Sequence, residues 1–158
     1  MGVKQFLLSL LIMLVILRAF YFLSYQPTQP PINNPAQNSI INLTIHGVTI
    51  KAEVSDTETK RSQGLSGHAP LASDGGMLFI FPQPGIYPFW MKDMLFSIDI
   101  IWIDAQKKVV GFSEDLSPDT YPKIFPPPSP ILYALEVSAG FVKRQNIAIG
   151  DLVSFSTK

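Results

Sequence analysis

The 158-residue chain contains no cysteine, which excludes disulfides, thiol catalysis, cysteine-held zinc and a lipidated N-terminal cysteine. Histidine is almost as scarce: His46 and His68 are the only two, so a metal site would have to be built from scattered carboxylates, and none is expected. Charge of one sign is also missing. The 12 basic and 12 acidic residues cancel, so the chain has no electrostatic footprint for nucleic acid, and no nucleic-acid partner is expected. There is no P-loop, Gly-x-Ser-x-Gly elbow, His-Glu-x-x-His pair or dinucleotide fingerprint, and no internal repeat. No catalytic residue can therefore be assigned, and no cofactor is implied.

What is present begins with an apolar N-terminus. Residues 6–17 are apolar except for Ser9, then Arg18 precedes a second apolar and aromatic stretch ending at Leu23. As a helix, residues 6–23 would extend about 27 Å, close to the thickness of a bilayer's hydrocarbon layer. A small-x-small cleavage site is missing where a signal peptide would have one, and the aromatics suit a membrane interface. Residues 1–23 are therefore expected to be a single-pass anchor, with a cleaved signal as the alternative that would leave the domain secreted. Arg18 lies near the far end, where it can reach headgroups. Lys4 and the amino terminus mark the cytoplasmic end, so the C-terminal domain would face outward. Residues 24–38 hold four prolines and no charge, an extended spacer that cannot form a core.

The folded domain is expected over residues 39–158. Period-two alternation on both sides of His46-Gly47 predicts a hairpin with a two-residue turn, which makes His46 a turn residue. Ser55 and Glu58 have capping-box spacing and Gly64 provides a stop, so a short helix is expected over 56–63. Residues 77–81, 87–91, 98–103, 108–112, 131–137 and 152–155 read as strands. The short turns between consecutive strands argue for antiparallel pairing. A second short helix is expected over 139–145, capped by Ser138 and ended by Asn146. The resulting fold is mainly β (α+β), a compact antiparallel sheet or partly open barrel with two short helices. Residues 117–130 carry six prolines and must form a long surface loop or flap.

The centre of interest is the stretch 75–104, where two apolar runs flank Phe89-Trp90-Met91-Lys92-Asp93. Strand parity forbids Phe89 and Trp90 from both entering the core, so one should line a groove or meet the Pro-rich loop. Asp99 and Glu136 interrupt apolar runs and are the best candidates for buried, partnered carboxylates. Asp104 and Asp151 are read as turn residues. Arg61 either complements the helix dipole, joins a surface ion pair, or forks onto a carboxylate such as Asp99 or Glu136. The ligand-binding candidates are thus Arg61, Phe89, Trp90, Lys92, Asp93, Asp99 and Glu136.

The ordered set Arg61, Gly64-Leu65, Gly76-Met77-Leu78-Phe79, Phe81, Phe89-Trp90-Met91-Lys92, Ile98-Asp99-Ile100, Ile103-Asp104, Leu135-Glu136-Val137, Ala139-Gly140 and Gly150-Asp151 resembles the prokaryotic domain of unknown function DUF192 (UPF0127). The resemblance runs over about residues 41–155. Ser66 stands where that pattern usually has Met, and Asp93 where Asn is usual. The resemblance implies a compact, mainly β domain, often exported behind a signal or anchor, and brings no activity, substrate or cofactor with it. The expected role is an anchored, outward-facing binding or accessory module of the cell envelope, held in the membrane by residues 6–23, with an envelope protein or glycan as ligand. Enzyme activity is the less favoured reading. Its form would be an envelope hydrolase using Asp99 or Glu136 with Arg61 and Lys92. A third reading is a structural partner in an envelope assembly, anchored by exposed aromatics.

Overall fold

A computed structural model describes residues 39–156 together with Gly2, Leu17 and Arg18. The anchor or signal over 1–23 and the spacer over 24–38 lie, those three positions apart, outside the described residues. Among the described residues no helix is long and apolar enough to cross a membrane. Asn38–Lys158 is one compact unit.

Strands β1 (Ile40–Ile45) and β2 (Val48–Ser55) form the expected hairpin, in register from Ile45↔Val48 to Ile40↔Glu53. His46 and Gly47 both have positive φ, 49° and 77°, the backbone that a two-residue hairpin turn of matching twist requires. Helix α1 (Glu58–Gln63) follows, capped by Thr57, whose hydroxyl accepts from the Lys60 N–H at 3.3 Å. The expected cap, Ser55, is instead the buried last residue of β2. Gly64 ends the helix at φ 51° with its N–H on the Lys60 carbonyl. A Cβ there would stand 3.3 Å from the Phe79 ring.

The remaining strands are β3 (Gly75–Gly85), β4 (Phe89–Trp90), β5 (Ile98–Ile103), β6 (Val109–Leu116), β7 (Ile124–Phe125), β8 (Ile131–Ser138) and β9 (Val153–Ser154). Seven of them make one curled, half-barrel sheet in the order β6-β5-β8-β3-β2-β1-β9. Among the described strands, the expectation that consecutive strands pair antiparallel holds for β1–β2 and β5–β6 and fails elsewhere: β4 pairs with neither β3 nor β5 but with β7. β2 and β3 run parallel, with α1 in the crossover, because a helix between two strands lets the chain return in the same direction. β8 enters between β3 and β5, antiparallel to both. That position suits its composition: β8 and β5 are largely apolar, and all six residues of β5 are buried, which demands cover on both faces.

Period-two alternation divides that cover into two cores. Leu43, Ile50, Leu78, Ile101, Leu135 and Val137 fill one core, joined by Phe141 and Val142 of helix α2 (Phe141–Arg144). Met77, Phe79, Ile98, Ile100, Trp102, Ala134 and Leu116 belong to the other core, roofed by Met91 and Met94 with Leu65 packed alongside. Burying each such side chain is worth about 1.5–3 kcal/mol, so the second face is a true core. Its roof is the segment between β3 and β5, and that segment holds the candidate site. Within it, β4 pairs with β7 (Phe89↔Phe125, Trp90↔Ile124). The Pro-rich loop therefore lies on the surface, as expected, and also contributes a two-residue strand that straps the roof.

Candidate functional site

On β3, Met77, Phe79 and Phe81 alternate onto the roofed face. The register with β8 then breaks between Ile80 and Gly85, and the chain turns back over that face through Tyr87 and Phe89. Tyr87 stacks on Phe81 at 3.8 Å between centroids, 4° from parallel, and its hydroxyl donates to the Gln83 carbonyl. Phe89 points inward and meets Phe79 and Trp102 edge to face at 4.9 and 5.3 Å. Trp90, of opposite parity, is 55% exposed and meets Tyr121 of the Pro-rich loop edge-on at 6.3 Å. Between this aromatic wall and the end of α1 lies a cavity of about 180 Å³. Its apolar lining includes Phe79, Phe81, Tyr87, Phe89, Trp90 and Met94, and its polar groups come from Arg61, Ser62, Gln63, Ser66 and Glu136.

Arg61 reaches no carboxylate. Its Nη1 donates to two backbone carbonyls, Asp56 at 2.6 Å and Ile80 at 2.8 Å, and its guanidinium carbon sits 5.7 Å from the Phe81 ring centroid. Two carbonyls orient the planar fork without neutralising it, and among the described residues Arg61 joins no ion pair. The expected fork onto Asp99 or Glu136 is replaced by this carbonyl clamp, which ties α1 to β3.

Glu136 stands opposite Met77 on β3 and Ile100 on β5, so it projects from mid-sheet onto the roofed face among apolar side chains. It is 5% exposed, and its Oε2 has no hydrogen-bond partner among the described residues. Burial without a compensating charge pushes its carboxyl up from 4.5 to about 8, because the ionised form loses hydration and gains nothing in return. At neutral pH it is an undissociated acid at the edge of an aromatic cavity, able to donate one hydrogen bond and accept others.

The other candidates lie elsewhere. Asp99 is fully buried, and its two oxygens accept from three backbone N–H groups: Asp115 at 2.9 Å, Gly140 at 3.1 Å and Val142 at 3.0 Å. It is the cap of α2, replacing the expected Ser138, which ends β8. Lys92 and Asp93 are exposed at the bend after β4 and do not line the cavity. Their carbonyls instead hold the loop after α1, accepting from the Ser66 hydroxyl at 2.9 Å and the Gly67 N–H at 2.9 Å. Asp93 has φ 56°, a left-handed backbone that Asn and Asp both tolerate, which explains why either residue serves there. Asp104 and Asp151 cap turns, and His46 lies 3.3 Å from Asp151 on the hairpin. Among the described residues no three His, Asp or Glu side chains converge as metal ligands. Ser62, Gln63 and Ser66 join the cavity without a sequence signal beyond their position around the Gly64 stop.

The profile of DUF192, described as an uncharacterized ACR, matches residues 41–155. A UPF0127 protein of Thermococcus gammatolerans is 30% identical over 110 residues, 65% of each chain. A UPF0127 protein of Thermococcus kodakarensis is 27% identical over 116 residues, 67% of this chain and 65% of that one. The chain thus matches 65% of the length of these curated relatives. A crystal structure from Sinorhizobium meliloti, provisionally described as a transcription regulator, is 26% identical with a TM-score of 0.71, covering 76% of this chain and 96% of its own. One from Novosphingobium aromaticivorans, of unknown function, is 24% identical with the same TM-score, covering 83% and 94%, and shows the shared fold. The profile match spans nearly all of the folded unit, and the curated relatives carry the same family name: the chain belongs to the DUF192 (UPF0127) family.

Proposed function

We propose that the chain is a membrane-anchored, outward-facing binding module of the cell envelope, whose site is the aromatic cavity beside Arg61 and Glu136. One observation carries the reading: Glu136, whose buried Oε2 has no partner among the described residues, belongs to the lining of a cavity walled by aromatic rings. A fold gains nothing from leaving such an atom unpaired, since an unsatisfied buried polar group costs about 1–3 kcal/mol. A ligand that supplies the missing bond recovers that cost. Hydrolysis is less well supported. The cavity lining contains a single carboxyl, where paired-carboxylate glycoside chemistry needs two. The hydrolase reading's other groups, Asp99 and Lys92, lie outside the cavity.

Trp90 is the reporter for the test. The full-length chain in lipid nanodiscs is titrated with envelope sugars, short peptides and small ring compounds while tryptophan fluorescence is followed. A saturable change lost in Trp90→Ala supports the site, and silence from every class removes it. Anchoring rests on the sequence of residues 6–23. Protease treatment of intact cells should cleave the domain from outside while leaving a membrane-bound N-terminal fragment. A fully protected domain would contradict the orientation.

A second reading rests on exposed apolar side chains on the same segments: Ile86, Trp90 and Leu95 around β4, with Tyr121 and Ile124 from the strap. This surface would suit a protein interface. Trp90→Ala should then abolish co-purification of one envelope partner while the domain stays folded, and an unchanged pull-down would exclude it.

A further inference from the structure

Resting on that reading of the cavity, we propose that its ligand is a small ring-bearing carboxylic acid, bound as a monoanion between the Arg61 guanidinium and the Glu136 carboxyl. Size sets the first limit. A cavity of about 180 Å³ is slightly larger than the roughly 150 Å³ apolar cavity that accepts benzene, so it has room for one ring. Phe79, Phe81, Tyr87, Phe89 and Trp90 supply the apolar wall, against which a ring packs edge-to-face or offset.

Charge sets the second limit. Because Nη1 of Arg61 is engaged by the Asp56 and Ile80 carbonyls, the guanidinium is already oriented. Its Nε and Nη2 edge makes no hydrogen bond among the described residues. That edge carries parallel N–H donors in the spacing a carboxylate accepts as a pair. An ionised glutamate in the same cavity would repel an anion. A protonated one instead donates a charge-assisted O–H bond to it, and burial holds Glu136 protonated up to about pH 8. The other ionisable groups lining the cavity are Arg61 from α1 and Tyr87 from the segment before β4. The register neighbours of Glu136, Met77 on β3 and Ile100 on β5, are apolar. The anion's affinity therefore follows the Glu136 proton: tight below pH 8, weak above it.

Calorimetric titration of the full-length chain in lipid nanodiscs, with empty nanodiscs as control, tests this with benzoate, benzamide and benzyl alcohol. Benzoate should bind at pH 6 at least tenfold more tightly than either neutral compound, and at least tenfold more weakly at pH 9. Arg61→Gln should lose at least tenfold for benzoate and little for benzyl alcohol. Because Arg61 also ties α1 to β3, Glu136→Gln is the second variant: its amide still donates, so benzoate binding should persist with no fall between pH 6 and 9. Equal affinities for the three compounds overturn the acid while keeping the cavity, as does silence from all three beside a response to a sugar or peptide. A wild-type affinity for benzoate unchanged between pH 6 and 9 overturns the role of Glu136.

Discussion

Replacing Glu136 by Gln should reshape how stability depends on pH. In the folded chain the Glu136 carboxyl keeps its proton up to about pH 8, whereas its ordinary value is 4.5. Between those limits unfolding releases a proton, so rising pH favours the unfolded state. The stability this group allows is complete below pH 4.5 and is lost progressively until pH 8. At 1.36 kcal/mol per pH unit the interval amounts to about 5 kcal/mol, of which about 3 kcal/mol is gone by pH 7. That is a large fraction of the 5–15 kcal/mol typical of a domain. Glutamine has the same shape and nothing to ionise, so the variant lacks this slope. Urea unfolding of the full-length chain in nanodiscs, followed by tryptophan fluorescence from pH 4.5 to 8.5, should show the two proteins nearly equal at the acid end. At the alkaline end Glu136→Gln should be more stable by several kcal/mol. A stability difference that stays constant within about 1 kcal/mol across the range would refute the reasoning, because it would mean that Glu136 ionises alike in both states.

Asp99→Ala removes the acceptor of three backbone N–H groups. At 1–3 kcal/mol per orphaned donor it should cost about 3 kcal/mol or more in thermal or urea unfolding; a loss below 1 kcal/mol would show that α2 needs no cap from β5. Trp90→Ala removes an exposed side chain and should change stability by less than about 1 kcal/mol, while abolishing any ligand-induced fluorescence change. Gly76→Ala places a Cβ 2.9 Å from the Glu136 carbonyl and 3.1 Å from Ile50, contacts that the β2–β3–β8 pairing cannot relax. It should cost about 1–3 kcal/mol by overpacking, measured as a lower urea midpoint with an unchanged slope.

Local features were legible from the residues, and long-range pairings were not. Alternation around His46-Gly47 specified the β1–β2 hairpin because its register is a local property, and Gly64 marked the end of α1 for the same reason. Parity also separated Phe89 from Trp90. β8 was legible as a strand but not as the one between β3 and β5, since no nearby residue records which strand it will join. The cap of α2 was invisible for a related reason: it comes from Asp99, about 40 positions earlier, and not from Ser138 beside it. Arg61 was recognisable as a cation near a helix end. Its partners, the carbonyls of Asp56 and Ile80, belong to the backbone and have no signature in residue type. Glu136 stood out as a carboxylate inside an apolar run, which gave its burial. Whether a partner would meet it depended on the path of the segment between β3 and β5, and that path brings aromatic rings there and leaves Lys92 outside.

The claim at the centre of this account is that Glu136 is an undissociated, unpartnered acid on the wall of the aromatic cavity. Its side-chain carboxyl can be titrated directly by carbon-13 NMR in the full-length chain labelled on glutamate. The account predicts a resonance, absent in Glu136→Gln, that moves with a midpoint near pH 8, well above the usual range for glutamate. A Glu136 resonance that titrates near pH 4.5 would contradict it, because the carboxyl would then be solvated or paired and the cavity would lack the donor on which its proposed function depends.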